Sequence, residues 1–114
     1  MTTLEGISLH VADVDRALDF YLRLPGVALV FRRESEFARL KIGGGFLHLV
    51  KLPKPGFHIE IDVDDVDDYR AALETAGIAA PRPTRHPWGK TDFHVTDPDG
   101  NTLEFGAMSQ ASSS

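Results

Sequence analysis

The chain has 114 residues, 42% of them hydrophobic, which is enough for one modest core and too little for two independent domains. The absence of cysteine excludes disulfide frameworks, thiolate metal sites and cysteine nucleophiles. The formal net charge is -5 and the basic residues form no stripe, so we expect no nucleic-acid partner.

The first predicted elements are a strand and a helix. Apolar residues alternate at Ile7, Leu9 and Val11, as in a strand with one buried face, and the spacing becomes helical after Asp13, a suitable N-cap. Three short apolar runs then predict strands at residues 27–33, 37–42 and 46–51. The helix ends before Pro25-Gly26, and its apolar stripe comprises Val14, Ala17, Leu18 and Tyr21.

The same order of elements recurs after a predicted linker at residues 53–56. Residues 59–67 resemble residues 7–15, and the second strand leads into a helix with Asp64 or Asp65 as N-cap and its end at Gly77. A weak strand is predicted near Ile78. Further strands are predicted at residues 91–96 and 102–105, joined by an Asp-Gly turn that is typical of hairpins.

The sequence therefore predicts an α+β domain over residues 1–107, built from two strand-helix-three-strand repeats at about residues 4–52 and 57–107. Residues 108–114 have almost nothing to bury and are predicted to be a flexible tail. The N-terminus lacks the features of a secretion signal, and no apolar run approaches the length of a membrane span. We therefore expect a cytoplasmic protein with no membrane contact.

Polar residues of the predicted strands share one face. Side chains alternate between the two faces along a strand, so every second residue faces away from the helices. The residues on that face include His48, His58 and Glu104. When the two repeats are aligned, His48 corresponds to Glu104 and His58 corresponds to Gly6. The glycine has no side chain, so one of the four aligned positions cannot supply a ligand. Two imidazoles and a carboxylate suit Fe, Mn, Ni, Co or Zn. The alternative is a solvated sheet face on which these residues have no joint role.

Two more polar residues on this face are candidates for the site. His10 lies four residues beyond Gly6, roughly 13 Å away in a strand, so it cannot simply replace the missing ligand. We expect it at the mouth of a pocket or, equally, on the surface. Glu60 lies two residues from His58, about 7 Å away, and is a candidate general base or else a solvated acid.

Several segments resemble one family. Residues 11–21, the strand at residues 57–59 leading to residues 64–66, the Pro-Trp-Gly segment at residues 87–89, and residues 97–105 are together similar to the glyoxalase, bleomycin resistance protein and extradiol dioxygenase superfamily, the vicinal oxygen chelate proteins. The resemblance covers nearly the whole chain. It implies two halves that form an incomplete barrel around a ligand cavity, usually in a homodimer. It assigns the metal-ligand positions of the family to Gly6, His48, His58 and Glu104.

The resemblance implies two functions. The first is a metal-dependent enzyme acting on a small molecule, with a divalent cation on His48, His58 and Glu104 and with Glu60 or Glu104 moving a proton. Gly6 departs from the pattern of the metal enzymes, which makes glyoxalase-like activity a poor fit.

The second function is metal-free binding of an aromatic or antibiotic-like compound, as in the bleomycin resistance proteins. Trp88 and Phe46 are candidates for stacking on a flat ligand, although most of the aromatic residues could belong to the core. Arg39 is a candidate for binding an anionic group, with a solvated arginine as the simpler alternative. In this function His48 and His58 donate hydrogen bonds to the ligand.

Overall fold

The computed structural model describes residues 1–108. Within that range it contains two helices and eight strands, which confirms the predicted α+β class. The predicted tail at residues 109–114 lies outside the described residues, while Met108 ends the last strand. The elements are β1 (Thr3–Val11), α1 (Val14–Tyr21), β2 (Val27–Arg33), β3 (Phe37–Ile42), β4 (Gly45–Lys51), β5 (Gly56–Asp62), α2 (Val66–Thr75), β6 (Thr84–Arg85), β7 (Lys90–Thr96) and β8 (Thr102–Met108).

The chain divides into two compact units. The first unit comprises Glu5–Ile59, and the second comprises Met1–Leu4 with the residues from Glu60 onward.

In the first unit the strand order is β2-β3-β4-β1. Strands β2, β3 and β4 are antiparallel, and β1 is parallel to β4. The predicted N-cap is confirmed, because the Asp13 carboxylate accepts the backbone N–H of Arg16 at 3.0 Å. Helix α1 covers one sheet face, and the buried core there comprises Val14, Leu18, Ala38, Leu40 and Leu49.

In the second unit β8, β7 and β6 are adjacent antiparallel strands. Asp65 caps α2 by accepting the N–H of Asp68 at 3.0 Å, and Gly77 follows the helix with a φ of +83°, which favours glycine. The core under α2 comprises Val63, Val66, Ala80, Phe93 and Phe105.

The predicted strand near Ile78 is wrong. The N–H of Ile78 donates to the Leu73 carbonyl at 2.9 Å, and the N–H of Gly77 donates to the Glu74 carbonyl at 3.0 Å. These two bonds form a Schellman motif, so Ile78 closes the helix instead of starting a strand. The short strand β6 begins six residues later and pairs with β7.

In residues 1–108 neither helix combines the length and the apolar character that crossing a membrane requires.

Candidate functional site

Four polar side chains of the first unit form the His48 cluster: Glu5, Ser8, Arg39 and His48. In the strand ladders His48 lies opposite both Ser8 and Arg39. Its Nδ1 lies 3.3 Å from the Ser8 hydroxyl, and its Nε2 lies 2.8 Å from a carboxylate oxygen of Glu5. The other Glu5 oxygen accepts a hydrogen bond from Arg39 at 2.5 Å. Sequence reasoning missed Glu5, which precedes the position that the family pattern indicates.

In this cluster a hydroxyl contacts an imidazole, and the imidazole contacts a carboxylate. The same arrangement of groups activates a serine nucleophile in hydrolases. Ser8, however, is fully buried, with 0% of its surface exposed, so its oxygen cannot reach a substrate. The contacts of Ser8 and Glu5 therefore fix the orientation of the His48 ring.

Two residues predicted to contact a ligand, Arg39 and Phe46, contact each other. The guanidinium carbon of Arg39 lies 3.7 Å from the centre of the Phe46 ring, a short cation–π distance. With its Nη2 on Glu5, Arg39 has both a charge partner and an aromatic partner inside the first unit.

The main chain at Gly6 leaves no room for a side chain. A Cβ built there would lie 2.4 Å from the Phe46 carbonyl oxygen, a backbone atom that cannot move without shifting β4. A metal-binding side chain at this position would require the two strands to rearrange.

His58 is oriented by His10. The Nε2 of His10 lies 2.8 Å from the Nδ1 of His58, so one ring donates a hydrogen bond to the other. The predicted role of His10 at a pocket mouth stays a prediction. What its position provides is a fixed orientation for the ring of His58.

Charged residues of the second unit form the Lys90 cluster: Glu60, Lys90, Asp92, His94 and Glu104. The Lys90 ammonium donates hydrogen bonds to Glu60, at 3.2 Å, and to Glu104, and it lies 3.9 Å from Asp92. His94 lies opposite Glu104 in the ladder, with 3.1 Å between Nε2 and a carboxylate oxygen. The three carboxylates are buried, while half of the His94 side chain is exposed.

The charges in this cluster stabilise one another. Burial opposes the ammonium form of Lys90, but the charges and hydrogen bonds of Glu104 and Glu60 outweigh it and raise its pKa well above the ordinary value. Burial likewise opposes the carboxylate form of Glu104, yet His94 and Lys90 lower its pKa. The hydrogen bond to Glu104 raises the pKa of His94 against the effect of burial.

Gly106 makes room for the Lys90 side chain. A Cβ at residue 106 would lie 2.8 Å from Cε of Lys90 and 3.3 Å from Cβ of Asp92. The glycine lets the aliphatic part of Lys90 lie across β8, so that the ammonium reaches the carboxylates.

Trp88 adjoins the Lys90 cluster through His86. The two rings stack with their centres 4.5 Å apart and 14° between their planes. His86 is anchored in turn, because its Nε2 lies 3.0 Å from each carboxylate oxygen of Asp92. Trp88 is 54% exposed, as expected from its place in a Pro-Gly turn.

Predicted site residues belong to both polar clusters. Glu60 and Glu104 of the second unit are carboxylates of a group that could hold a metal ion. His48, another predicted ligand, contacts Glu5 and Ser8 in the first unit. Sequence reasoning missed Lys90, whose position at the start of β7 carried no motif.

A protein-family model matches most of the chain. The family model described as the Glyoxalase/Bleomycin resistance protein/Dioxygenase superfamily matches residues 3–105. A search of curated protein sequences finds no match.

Solved structures share the fold at low sequence identity. Methylmalonyl-CoA epimerase from Mycobacterium tuberculosis is 18% identical with a TM-score of 0.77, covering 97% of this chain and 91% of its own. A superfamily member from Vibrio splendidus 12B01 is 20% identical with a TM-score of 0.67, covering 94% and 97%. The Mn(II)-bound glyoxalase from Novosphingobium aromaticivorans is 21% identical with a TM-score of 0.66, covering 91% of this chain and 37% of its own.

Proposed function

Because the chain belongs to the glyoxalase/bleomycin resistance protein/dioxygenase superfamily, we propose that it binds a small organic molecule, and that the second unit carries the recognition surface. The observation that carries this proposal is the junction of Trp88, half exposed and stacked on His86, with the Lys90 cluster. Asp92 makes the junction, since it contacts both His86 and the Lys90 ammonium.

The groups at this junction favour a flat aromatic ligand that carries an acceptor oxygen. An indole held against a second ring is already ordered, so stacking on it costs little conformational entropy. The carboxylates are buried, whereas Lys90 and His94 are more exposed and carry N–H donors. An oxygen acceptor therefore matches what the surface offers.

The protonation of the cluster favours binding over proton transfer. A general base works best with a pKa near the working pH, but the pKa of Glu104 is lowered and that of Lys90 is raised. Glu104 is therefore a weak base and Lys90 a weak acid at neutral pH. The catalytic roles predicted for Glu60 and Glu104 stay predictions.

The single tryptophan makes this proposal easy to test, because fluorescence excited selectively at tryptophan reports on Trp88 alone. We expect 2-acetylnaphthalene to change that fluorescence saturably, and 2-ethylnaphthalene, which has no acceptor oxygen, to bind at least about tenfold more weakly. His94→Gln is expected to reduce the difference between the two ligands. Equal binding of the two, or quenching no different from that of free N-acetyltryptophanamide, contradicts the proposal.

A second candidate function is that of an enzyme with a divalent metal, and the neighbouring buried carboxylates of Glu60 and Glu104 in the second unit favour it. Glu60 and Glu104 would be the carboxylate ligands, a set that suits Fe, Mn, Ni, Co or Zn. A bound metal would supply polarisation of a substrate oxygen.

The two candidates differ in their need for metal. Removal of metal with EDTA leaves the binding of 2-acetylnaphthalene unchanged under the first function and abolishes any metal-dependent turnover under the second. Homodimerisation, which the resemblance implies, stays a prediction that light scattering can test.

A further inference from the structure

In both halves of the repeat, a charged side chain lies against a residue that the family pattern assigns as a metal ligand. His48 in the first half and Glu104 in the second occupy matched positions to which the family pattern assigns metal ligands. Each lies against a charged side chain of its own unit: the Glu5 carboxylate faces His48, and the Lys90 ammonium faces Glu104.

The first unit departs from the family's metal-ligand pattern at two residues, Gly6 and Glu5. Gly6 removes the ligand of the first strand, and the close approach of the Phe46 carbonyl leaves no space for another. Glu5, one residue earlier, brings a carboxylate oxygen to 2.8 Å from His48 Nε2. The nitrogen that a metal would bind therefore already faces a carboxylate, and Arg39 balances that carboxylate with a permanent positive charge.

In the second unit the positive charge is Lys90. Its ammonium contacts both Glu60 and Glu104, the two carboxylates that a cation would need. Only 21% of the Lys90 side chain is exposed, and Gly106 opens the path that it follows. A divalent ion at these oxygens would have to displace a partly buried ammonium or lie beside it against strong repulsion.

We infer that Lys90 is the resident cation of this protein: its ammonium takes the place of a divalent metal at Glu60 and Glu104, while Glu5 holds His48 in place of a first-strand ligand. The inference goes beyond ligand binding, which does not specify what neutralises the carboxylates. It also decides against the metal-dependent candidate.

The experiment compares metal uptake in the wild type and in two charge variants. Protein stripped with EDTA and dialysed is titrated with MnCl2 by calorimetry. The wild type and Lys90→Arg, which keeps the charge, are expected to show no saturable binding. Lys90→Met is expected to bind Mn2+ at least about tenfold more tightly than the wild type, because the carboxylates lose their cation. Adding Glu104→Gln to Lys90→Met should remove that gain.

A second variant guards against misfolding of Lys90→Met. Gly106→Ala leaves the lysine in the chain but places a methyl group 2.8 Å from its Cε, so the ammonium must withdraw and Mn2+ binding should again increase. Tight Mn2+ binding by the wild type that Glu104→Gln abolishes overturns the inference. A lack of any gain in both Lys90→Met and Gly106→Ala overturns it as well.

Failure of this inference is separable from failure of the proposed function. The Trp88 titration with 2-acetylnaphthalene is run on the same EDTA-treated wild type. Ligand binding together with tight Mn2+ uptake contradicts only the resident lysine. Absence of both ligand binding and Mn2+ uptake contradicts only the proposed function.

Discussion

The polar clusters of the two units differ in the cations that neutralise their carboxylates. In the His48 cluster, one carboxylate, Glu5, is paired with one guanidinium, Arg39. In the Lys90 cluster, a single ammonium faces three buried carboxylates, Glu60, Asp92 and Glu104. The hydrogen bond between His94 and Glu104 therefore matters for the charge balance of the second unit.

This difference indicates which residue should make the stability of the protein depend on pH. His94 lies on Glu104 and its pKa is raised, as expected where carboxylates outnumber fixed cations. We therefore expect His94, in the second unit, to contribute a pH response.

The largest expected effect comes from removing the ammonium of the second unit. Lys90→Met leaves Glu60 and Glu104 buried without a cation, and breaking a buried pair in this way costs about 3 kcal/mol of unfolding free energy. Chemical denaturation at neutral pH in EDTA measures the loss, with Lys90→Arg as the control that keeps the charge. An effect below about 1 kcal/mol, the range of surface pairs, would contradict the buried cluster.

A steric test of the first unit comes next. Gly6→Ala places a methyl group against the Phe46 carbonyl, and overpacking of this kind costs about 2 kcal/mol. The matched control is Gly44→Ala, because a Cβ at residue 44 meets no atom within 4 Å. Equal stability of the two variants in urea denaturation would show that β1 and β4 lie further apart than described.

The helix caps test whether the halves are equivalent in their local structure. Asp13 and Asp65 accept the same kind of backbone hydrogen bond at the same distance of 3.0 Å. Asp13→Ala and Asp65→Ala should therefore each lower stability by about 1 kcal/mol. A difference of more than twofold between the two losses would indicate that the helices are not equivalent.

The smallest effect is the pH response of the second unit. A pKa raised in the folded state gives stability that is complete below the unfolded value of 6.5 and disappears as pH rises through the folded value. His94 is half exposed, so we expect the wild type to exceed His94→Gln by only about 0.5 kcal/mol near pH 6 and by nothing near pH 9. If the stability difference between the wild type and His94→Gln grew as pH rose, the direction of the His94 pKa shift would be contradicted.

These variants also mark where sequence reasoning succeeded. Both N-caps and the apolar stripe of α1 were predictable, because they depend on residues close together in the chain. The hairpin at residues 97–101 was equally local: Asp97 accepts the N–H groups of Asp99 and Asn101, and Gly100 has a φ of +88°. Ile78 was misassigned because an apolar residue after a glycine suits a Schellman motif as well as a strand.

The polar clusters were not predictable to the same degree. The apolar runs and the repeat correctly placed His48, Arg39 and Glu104 on strands, but they could not reveal that Lys90 crosses β8 to reach Glu60, thirty residues earlier in the chain. That contact depends on space left by Gly106, which has no signature in the sequence. Glu5 was missed because it lies one residue from the expected position.

The central claim is that an ammonium, rather than a metal, neutralises the carboxylates of the second unit. Anomalous diffraction from crystals soaked in Mn2+ tests it directly. The account predicts no anomalous peak at Glu60 or Glu104, with the Lys90 ammonium in contact with both. A manganese peak on these oxygens with Lys90 turned away would contradict it.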